Sequence, residues 1–315
     1  MNRRSAVEAG NPHAAKVLGD LFDEQNDPAA AFAWYEAAAR AGVTDAAVTL
    51  GIGYWEQEEI GRARDWLTFA AETGDVRAAA ALGGLLWECD DLERAERWWM
   101  KAAEHGDETA MVGLGLLSLE AGDIDAAKER LRRAAAADSL SGMRMLGQLL
   151  WEEGDRIAGE GWLRVAALRH DNDASLMLGD LLGHAGEHER ARSWWEMSAT
   201  DGNAIAAFKL GFEYAQSSNL DEAERWYLLA AEKGDVGAAN NLGLILLERG
   251  DVEGAQKWLR LAAESGLGDG ALNYAALLHV VGAHRESEDW LRKAEGLGVD
   301  TSSVRAAVEE RPPEK

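Results

Sequence analysis

The stretch "AERWWMKAAEHGD" at residues 95–107 returns as "AERWYLLAAEKGD" at residues 223–235, with the same Ala-Glu-Arg-Trp start and the same Ala-Ala-Glu-x-Gly-Asp end. The two copies begin 128 residues apart, and the chain between them is itself periodic. The Gly of a Leu-Gly pair falls at Gly19, Gly51, Gly83, Gly115, Gly147, Gly179, Gly211 and Gly243, each 32 residues after the last, and the next step lands on Ala275. A second column runs Ala31, Ala63, Ala95, Ala127, Gly159, Ala191, Ala223, Ala255, Ser287. A third runs Trp34, Trp66, Trp98, Arg130, Trp162, Trp194, Trp226, Trp258, Trp290. Nine units of 32 residues therefore tile residues 12–299 without a gap, and a fixed period of this length marks a repeat array rather than separate globular domains.

Within a unit the apolar and small residues recur at helical spacing, as in Ala239, Leu242, Gly243 and Leu246. A turn signal follows, as at Gly122-Asp123, Gly154-Asp155 and Gly250-Asp251. The Gly suits the left-handed residue that ends a helix, and the Asp can accept the free N–H groups that begin the next. A second helix then carries Ala255, Trp258, Leu259 and Ala262 on one face and ends at another Gly, commonly followed by Asp or Asn, as at Gly106-Asp107, Gly202-Asn203 and Gly234-Asp235. Each repeat is thus expected to be a helix-turn-helix. Gly243 and Ala255 let its helices approach, while the Trp column fills the space against the next unit. One such hairpin cannot bury its faces alone; a stack can.

Composition agrees. Of 315 residues, 47% are hydrophobic and 4 are Pro, so there is ample apolar surface to bury. No run approaches the roughly 18 apolar residues of a membrane span, and the N-terminal residues have no signal-like apolar core. The single Cys89 cannot form an internal disulfide and reads as a small hydrophobe or an inert thiol; a cytoplasmic location is expected. The net charge of -24 opposes binding to nucleic acid and anionic lipid and favours basic protein segments. The sequence does not indicate an oligomer.

The order of residues resembles the tetratricopeptide repeat and, more closely, its Sel1-like relatives. Leu18, Gly19 and Phe22 match the first-helix positions, Ala31, Tyr35 and Ala38 match those of the second, and the Trp-Tyr followed by Ala-Ala-Glu-x-Gly at 226–234 has the Sel1-like character. At 32 residues the units are shorter than either family's usual repeat, so the connection between helices must be minimal. The resemblance implies an all-α, right-handed solenoid of nine repeats that binds a protein or peptide on a concave face lined by the first helices, with no chemistry and no cofactor of its own. Residues 1–11, where Ala6 and Gly10 sit one period before Ala38 and Gly42, read as a partial preceding repeat or an N-terminal cap. Residues 300–315 read as a capping helix and tail. Arg130, Ser118, Asp138, Gly159 and His170 depart from their columns, so the weakest inter-repeat packing is expected near residues 130–160, as a locally looser solenoid in preference to a hinge.

On the expected concave face, Trp55, Trp87 and Trp151 share one column, and Glu24, Glu56, Glu88, Glu120, Glu152 and Glu248 the next. Such ladders suit a partner with Lys or Arg and apolar anchors, by cation–π and charge pairing; equally, the Trp can pack on the next helix and the Glu can be ordinary solvated residues. Ile52, Leu116, Phe208, Phe212 and Leu244 make the same face apolar. Asn241 and Asn273 share a column one repeat apart, with Asn240 beside the first. The resemblance implies a clamp on a peptide backbone there; the alternative is local hydrogen bonding between helices. A metal-dependent or enzymatic module would have to use His184, His188 or His279, although their spacing supplies no complete ligand set. No phosphate-binding Gly motif, metalloprotease motif or nucleophile elbow is present. A self-associating structural array is the remaining reading.

Overall fold

The structure, a computed structural model, describes residues 11–309; the expectations for Ala6, Gly10 and the final Arg-Pro-Pro-Glu-Lys lie outside these residues. Among them are nineteen α-helices and no strand. The first helices of the hairpins are α1 (Pro12–Glu24), α3 (Thr44–Glu56), α5 (Val76–Glu88), α7 (Glu108–Glu120), α9 (Leu140–Glu152), α11 (Asn172–His184), α13 (Ala204–Gln216), α15 (Val236–Glu248) and α17 (Gly268–Val280). The second helices are α2 (Pro28–Arg40), α4 (Ile60–Glu72), α6 (Leu92–Glu104), α8 (Ile124–Ala136), α10 (Arg156–Ala167), α12 (His188–Thr200), α14 (Leu220–Glu232), α16 (Val252–Glu264) and α18 (His284–Gly296), and α19 (Ser302–Glu309) is the helix expected after the ninth repeat. Two compact units are formed, residues 1–166 and 167–315.

The turn chemistry sets the period. A residue of positive φ recurs every 16 residues from Asn26 to Gly298. The 32-residue repeat is therefore two 16-residue halves, each a helix followed by a short connection, three residues long in nearly every case. At each turn the chain closes back onto the helix: Asp75 N–H donates to Ala70 C=O at 3.2 Å and Asp107 N–H to Ala102 C=O at 3.2 Å. The same Asp then starts the next helix, Asp75 accepting from Ala78 N–H at 3.0 Å and Asp107 from Ala110 N–H at 2.8 Å. The Gly-Asp pairs thus end one helix and cap the next. Asp138 and His170, which break the Gly column, still adopt the left-handed conformation at φ 76° and 66°.

The core departs from the sequence reading at one column. The large side chains that fill the hairpins are not the Trp column but the residue after it: Tyr35, Leu67, Trp99, Leu131, Leu163, Trp195, Tyr227 and Leu259 are all buried. Each lies on the repeat Gly sixteen residues earlier. A Cβ on Gly83 would stand 2.4 Å from Trp99, one on Gly115 2.7 Å from Leu131 and one on Gly243 2.6 Å from Leu259. The Leu-Gly glycine is a socket for that side chain. The Trp column itself is mostly half-buried, Trp226 and Trp258 being the buried members, and its rings carry cations: Lys101 lies 4.0 Å over Trp98 and Lys293 3.6 Å over Trp290. A helical phase error of one residue, about 100° of rotation, separates the two readings.

The irregular fourth and fifth repeats carry contacts of their own. Arg130, in place of Trp, donates to Leu114 C=O at 2.9 Å and pairs with Glu96 at 3.1 Å, and buried Ser118 bonds the same carbonyl at 3.1 Å. Gly159 replaces Ala because α9 and α10 approach more closely: a Cβ there would lie 2.7 Å from Gly147 O. The division into two compact units falls just beyond this region, at residues 166/167.

Candidate functional site

Within each unit, successive first helices touch one another, as α3 touches α5 and α15 touches α17, while second helices touch chiefly first helices. The first helices therefore crowd one side of each stack, the side the sequence reading chose. The side chains they turn to it sit six and two residues before the repeat Gly and one and five after it, positions one helical turn apart.

In the N-terminal unit this face is wired internally. Trp55 Nε1 donates to Glu88 at 2.7 Å, and Trp87 Nε1 donates to Glu120 at 3.1 Å. The Trp55 ring lies on Gly84, where a Cβ would be 2.9 Å away, and Trp87 stacks at a tilt on Trp99 with centroids 6.5 Å apart. The two expected ladders exist, but they bind each other across repeats. Trp151 departs from the pattern, with Arg156 5.5 Å over its ring, and Glu152 accepts from Gln148 at 2.9 Å. Glu56 is exposed. Beside this row runs a charge relay through three first helices: Asp45 accepts Lys16 at 3.0 Å and Arg77 at 2.7 Å, and these two cations hold its carboxyl below the usual aspartate range, Arg77 first.

In the C-terminal unit the same face is open. A cavity of about 400 Å³ is floored by Gly183, Trp195, Phe208 and Phe212 and rimmed by Asp180, His184, Lys209 and Glu213. A second, of about 390 Å³, is lined by Phe212, Ala215, Gln216, Tyr227, Asn241, Leu244 and Ile245. Phe212 belongs to both. It is 46% exposed and Leu244 40%, so together they leave apolar surface on this face. Three residues singled out from sequence, Asn241, Phe212 and Leu244, meet here.

The asparagines divide. Asn240 is buried and central: it accepts from Asn273 Nδ2 at 2.8 Å and donates to Asn241 Oδ1 at 3.3 Å. Asn241 also hydrogen-bonds the Tyr227 phenol, whose titration burial pushes up and the Asn241 bond draws down. Asn241 and Asn273, expected as parallel arms of a clamp, are joined to each other through Asn240.

The three histidines take separate partners. His184 Nδ1 contacts Asp180 O at 2.8 Å, His188 Nδ1 faces Glu213 at 3.2 Å, and His279 Nδ1 meets His284 Nδ1 at 3.1 Å. His184 and Glu213 border one cavity; His279 lies apart from it. Among the described residues no group of three or more His, Cys, Asp or Glu could hold a metal ion, and no helix is long and apolar enough to cross a membrane. Cys89 is exposed, which decides between its two sequence readings for the surface thiol.

Sequence reasoning missed Gln216, Tyr227, Lys209 and Asp180. The signal was present: the Trp55, Trp87, Trp151 column, read onward, gives Gly183 and Ala215. Both line cavities.

Such an array of short helical hairpins defines the α-helical repeat class. The Sel1 repeat family matches residues 18–43, 78–107 and 204–235, and a tetratricopeptide repeat family matches residues 173–197 and 236–260. Each match spans one first helix and its following second helix. The matched hairpins are thus similar to Sel1 and tetratricopeptide repeats. Among solved structures it is similar to a protective antigen of uropathogenic Escherichia coli displaying an SLR fold, with 26% identity, 98% of this chain and 73% of that one covered, and a TM-score of 0.57. A Sel1 repeat protein from Oxalobacter formigenes shares 23% identity over 84% of this chain and 86% of that one, at a TM-score of 0.60. A tetratricopeptide repeat protein from Parabacteroides merdae shares 16% over 75% and 98%, at 0.50. These last two likenesses speak for the fold alone. No curated protein sequence matches the chain.

Proposed function

We propose that this chain is a protein-interaction scaffold without catalytic chemistry, and that it receives a segment of another protein on the first-helix face of its C-terminal unit. The observation that carries the reading is the pair of adjoining apolar cavities either side of Phe212, with Leu244 also left exposed. An apolar floor with a polar rim is the form of a recognition site rather than of an idle surface. Sel1 and tetratricopeptide repeats are generally protein-interaction scaffolds, which favours the same conclusion. The net charge of -24 favours a partner combining apolar anchors with Lys or Arg, and disfavours nucleic acid; at the rim, Asp180 is held by Lys209 at 3.1 Å and Glu213 faces His188 at 3.2 Å. A cytoplasmic location goes with this reading.

The test is a random peptide library displayed against the chain, with Phe212→Glu/Leu244→Glu as control. Peptides enriched by the parent chain should lose binding to the double variant while its helical content stays unchanged. Enrichment of the same peptides by both would place recognition elsewhere.

A further inference from the structure

The repeat carries its own template for what fills the cavity beside Ala215. Four residues after the repeat Gly, the N-terminal unit has Trp55 and Trp87, and each indole reaches across to the next first helix, giving its N–H to the Glu that lies five residues after that helix's Gly: Glu88 at 2.7 Å and Glu120 at 3.1 Å. The corresponding trio one further along in the C-terminal unit is Ala215, Leu244 and Glu248, standing where Trp87, Leu116 and Glu120 stand. The acceptor is kept and the indole is gone. Glu248 is exposed and makes no hydrogen bond or ion pair among the described residues. Between Ala215 and Leu244 lies the cavity of about 390 Å³, with Phe212 and Tyr227 in its wall.

We propose that this cavity takes a tryptophan side chain from a partner protein, lying between α13 and α15 as Trp87 lies between α5 and α7, with its indole N–H donated to Glu248. The inference rests on the scaffold reading above and names its anchor. An indole suits the place because it buries a large apolar area with few rotatable bonds and still presents one donor. A charged acceptor strengthens that single bond. A leucine would fill the floor and leave Glu248 unanswered. A second copy of this chain is the disfavoured source, since two molecules of charge -24 repel.

The test uses the full chain and N-acetyl-L-tryptophanamide as probe, followed by amide NMR shifts, with N-acetyl-L-leucinamide as comparison. Saturable shifts should cluster around Ala215, Asn241 and Leu244, and the leucine probe should bind about tenfold more weakly. Ala215→Trp should abolish probe binding without lowering the melting temperature, the introduced indole occupying the cavity as Trp87 does in its own repeat. Glu248→Gln should weaken the tryptophan probe several-fold and leave the leucine probe unchanged. If Ala215→Trp does not fold, Leu244→Ala supplies the same readout by widening the cavity and weakening the tryptophan probe.

Equal binding of the two probes, or undiminished binding by folded Ala215→Trp, overturns the proposal. So does a parent-chain dimer that Ala215→Trp dissolves, since the occupant would then be a second copy. Displayed peptides that lack Trp yet depend on Phe212 and Leu244 would remove the indole while leaving the scaffold standing. Probe binding with no peptide enriched would do the reverse.

Discussion

At the residue scale, a Gly has one of three meanings in this chain, and its neighbours decide which. Gly83 is a socket filled by Trp99, Gly106 is a turn residue at φ 86°, and Gly61 has nothing within 4 Å of where a Cβ would stand. Gly83→Ala should therefore destabilise by about 1–3 kcal/mol, since the indole below it has no room to yield. Gly61→Ala should stabilise by about 0.5–1 kcal/mol through helix propensity alone. Urea midpoints of the two variants against the parent check both signs. The same logic of neighbours applies to Asn240, which sits buried between two other amides. Asn240→Ala strands the Asn273 amide and should cost about 1–3 kcal/mol, whereas Asn241→Ala should cost less because Asn241 is partly solvated. If the denaturation curves show equal losses, the hub lies elsewhere.

At the scale of elements, successive first helices are held in register by polar contacts that jump one repeat, of which Asp45 is the clearest. Its carboxylate is bonded by Arg77 and Lys16, so its folded titration point lies below the ordinary 3.8. A depressed folded value means that the stabilisation is fully present above the ordinary aspartate range and is lost as pH falls through the folded value. The stability difference between the parent and Asp45→Asn should then be largest near neutrality and should close in acid, below the ordinary aspartate range. Denaturant titrations at four or five pH values would show it, and a difference that persists undiminished in acid would refute the charge origin. Asp45 is half-exposed, so the effect is expected to be small and to weaken with salt. Where a turn Gly is followed by Asp, that Asp caps the next helix: Asp107→Ala should cost about 1 kcal/mol by leaving the Ala110 N–H without its partner.

At the scale of the whole molecule, the charge of -24 is the property that every contact must reckon with. Self-repulsion of this size is screened over about 8–10 Å at physiological salt, so folding stability should rise modestly from low to moderate ionic strength while affinity for Lys- and Arg-bearing peptides falls. Isothermal titrations of displayed peptides at several salt concentrations read the second effect; affinity flat in salt would mean that apolar anchors alone carry recognition.

The period, the helix count, the turn residues and the caps were all legible in the letters, because each depends on a few neighbouring residues: a Gly able to take positive φ, an Asp after it, and an apolar stripe at helical spacing. The columns are legible too: Phe212, Leu244 and Asn241 stand out in the sequence and line one cavity in the fold. What the letters could not decide was which of two adjacent columns is core. Trp98 and Trp99 are both large and apolar, and only the packing of a second helix onto Gly83 turns Trp99 inward and leaves Trp98 half-exposed beneath Lys101. Nor could they tell that Trp87 and Glu120, 33 residues apart, satisfy each other while Glu248 is left without an indole. Local chemistry acts through the chain and can be read along it. Pairing across repeats depends on distances that exist only after the hairpins stack, so whether a side chain is filled, bonded or open is a property of the tertiary structure.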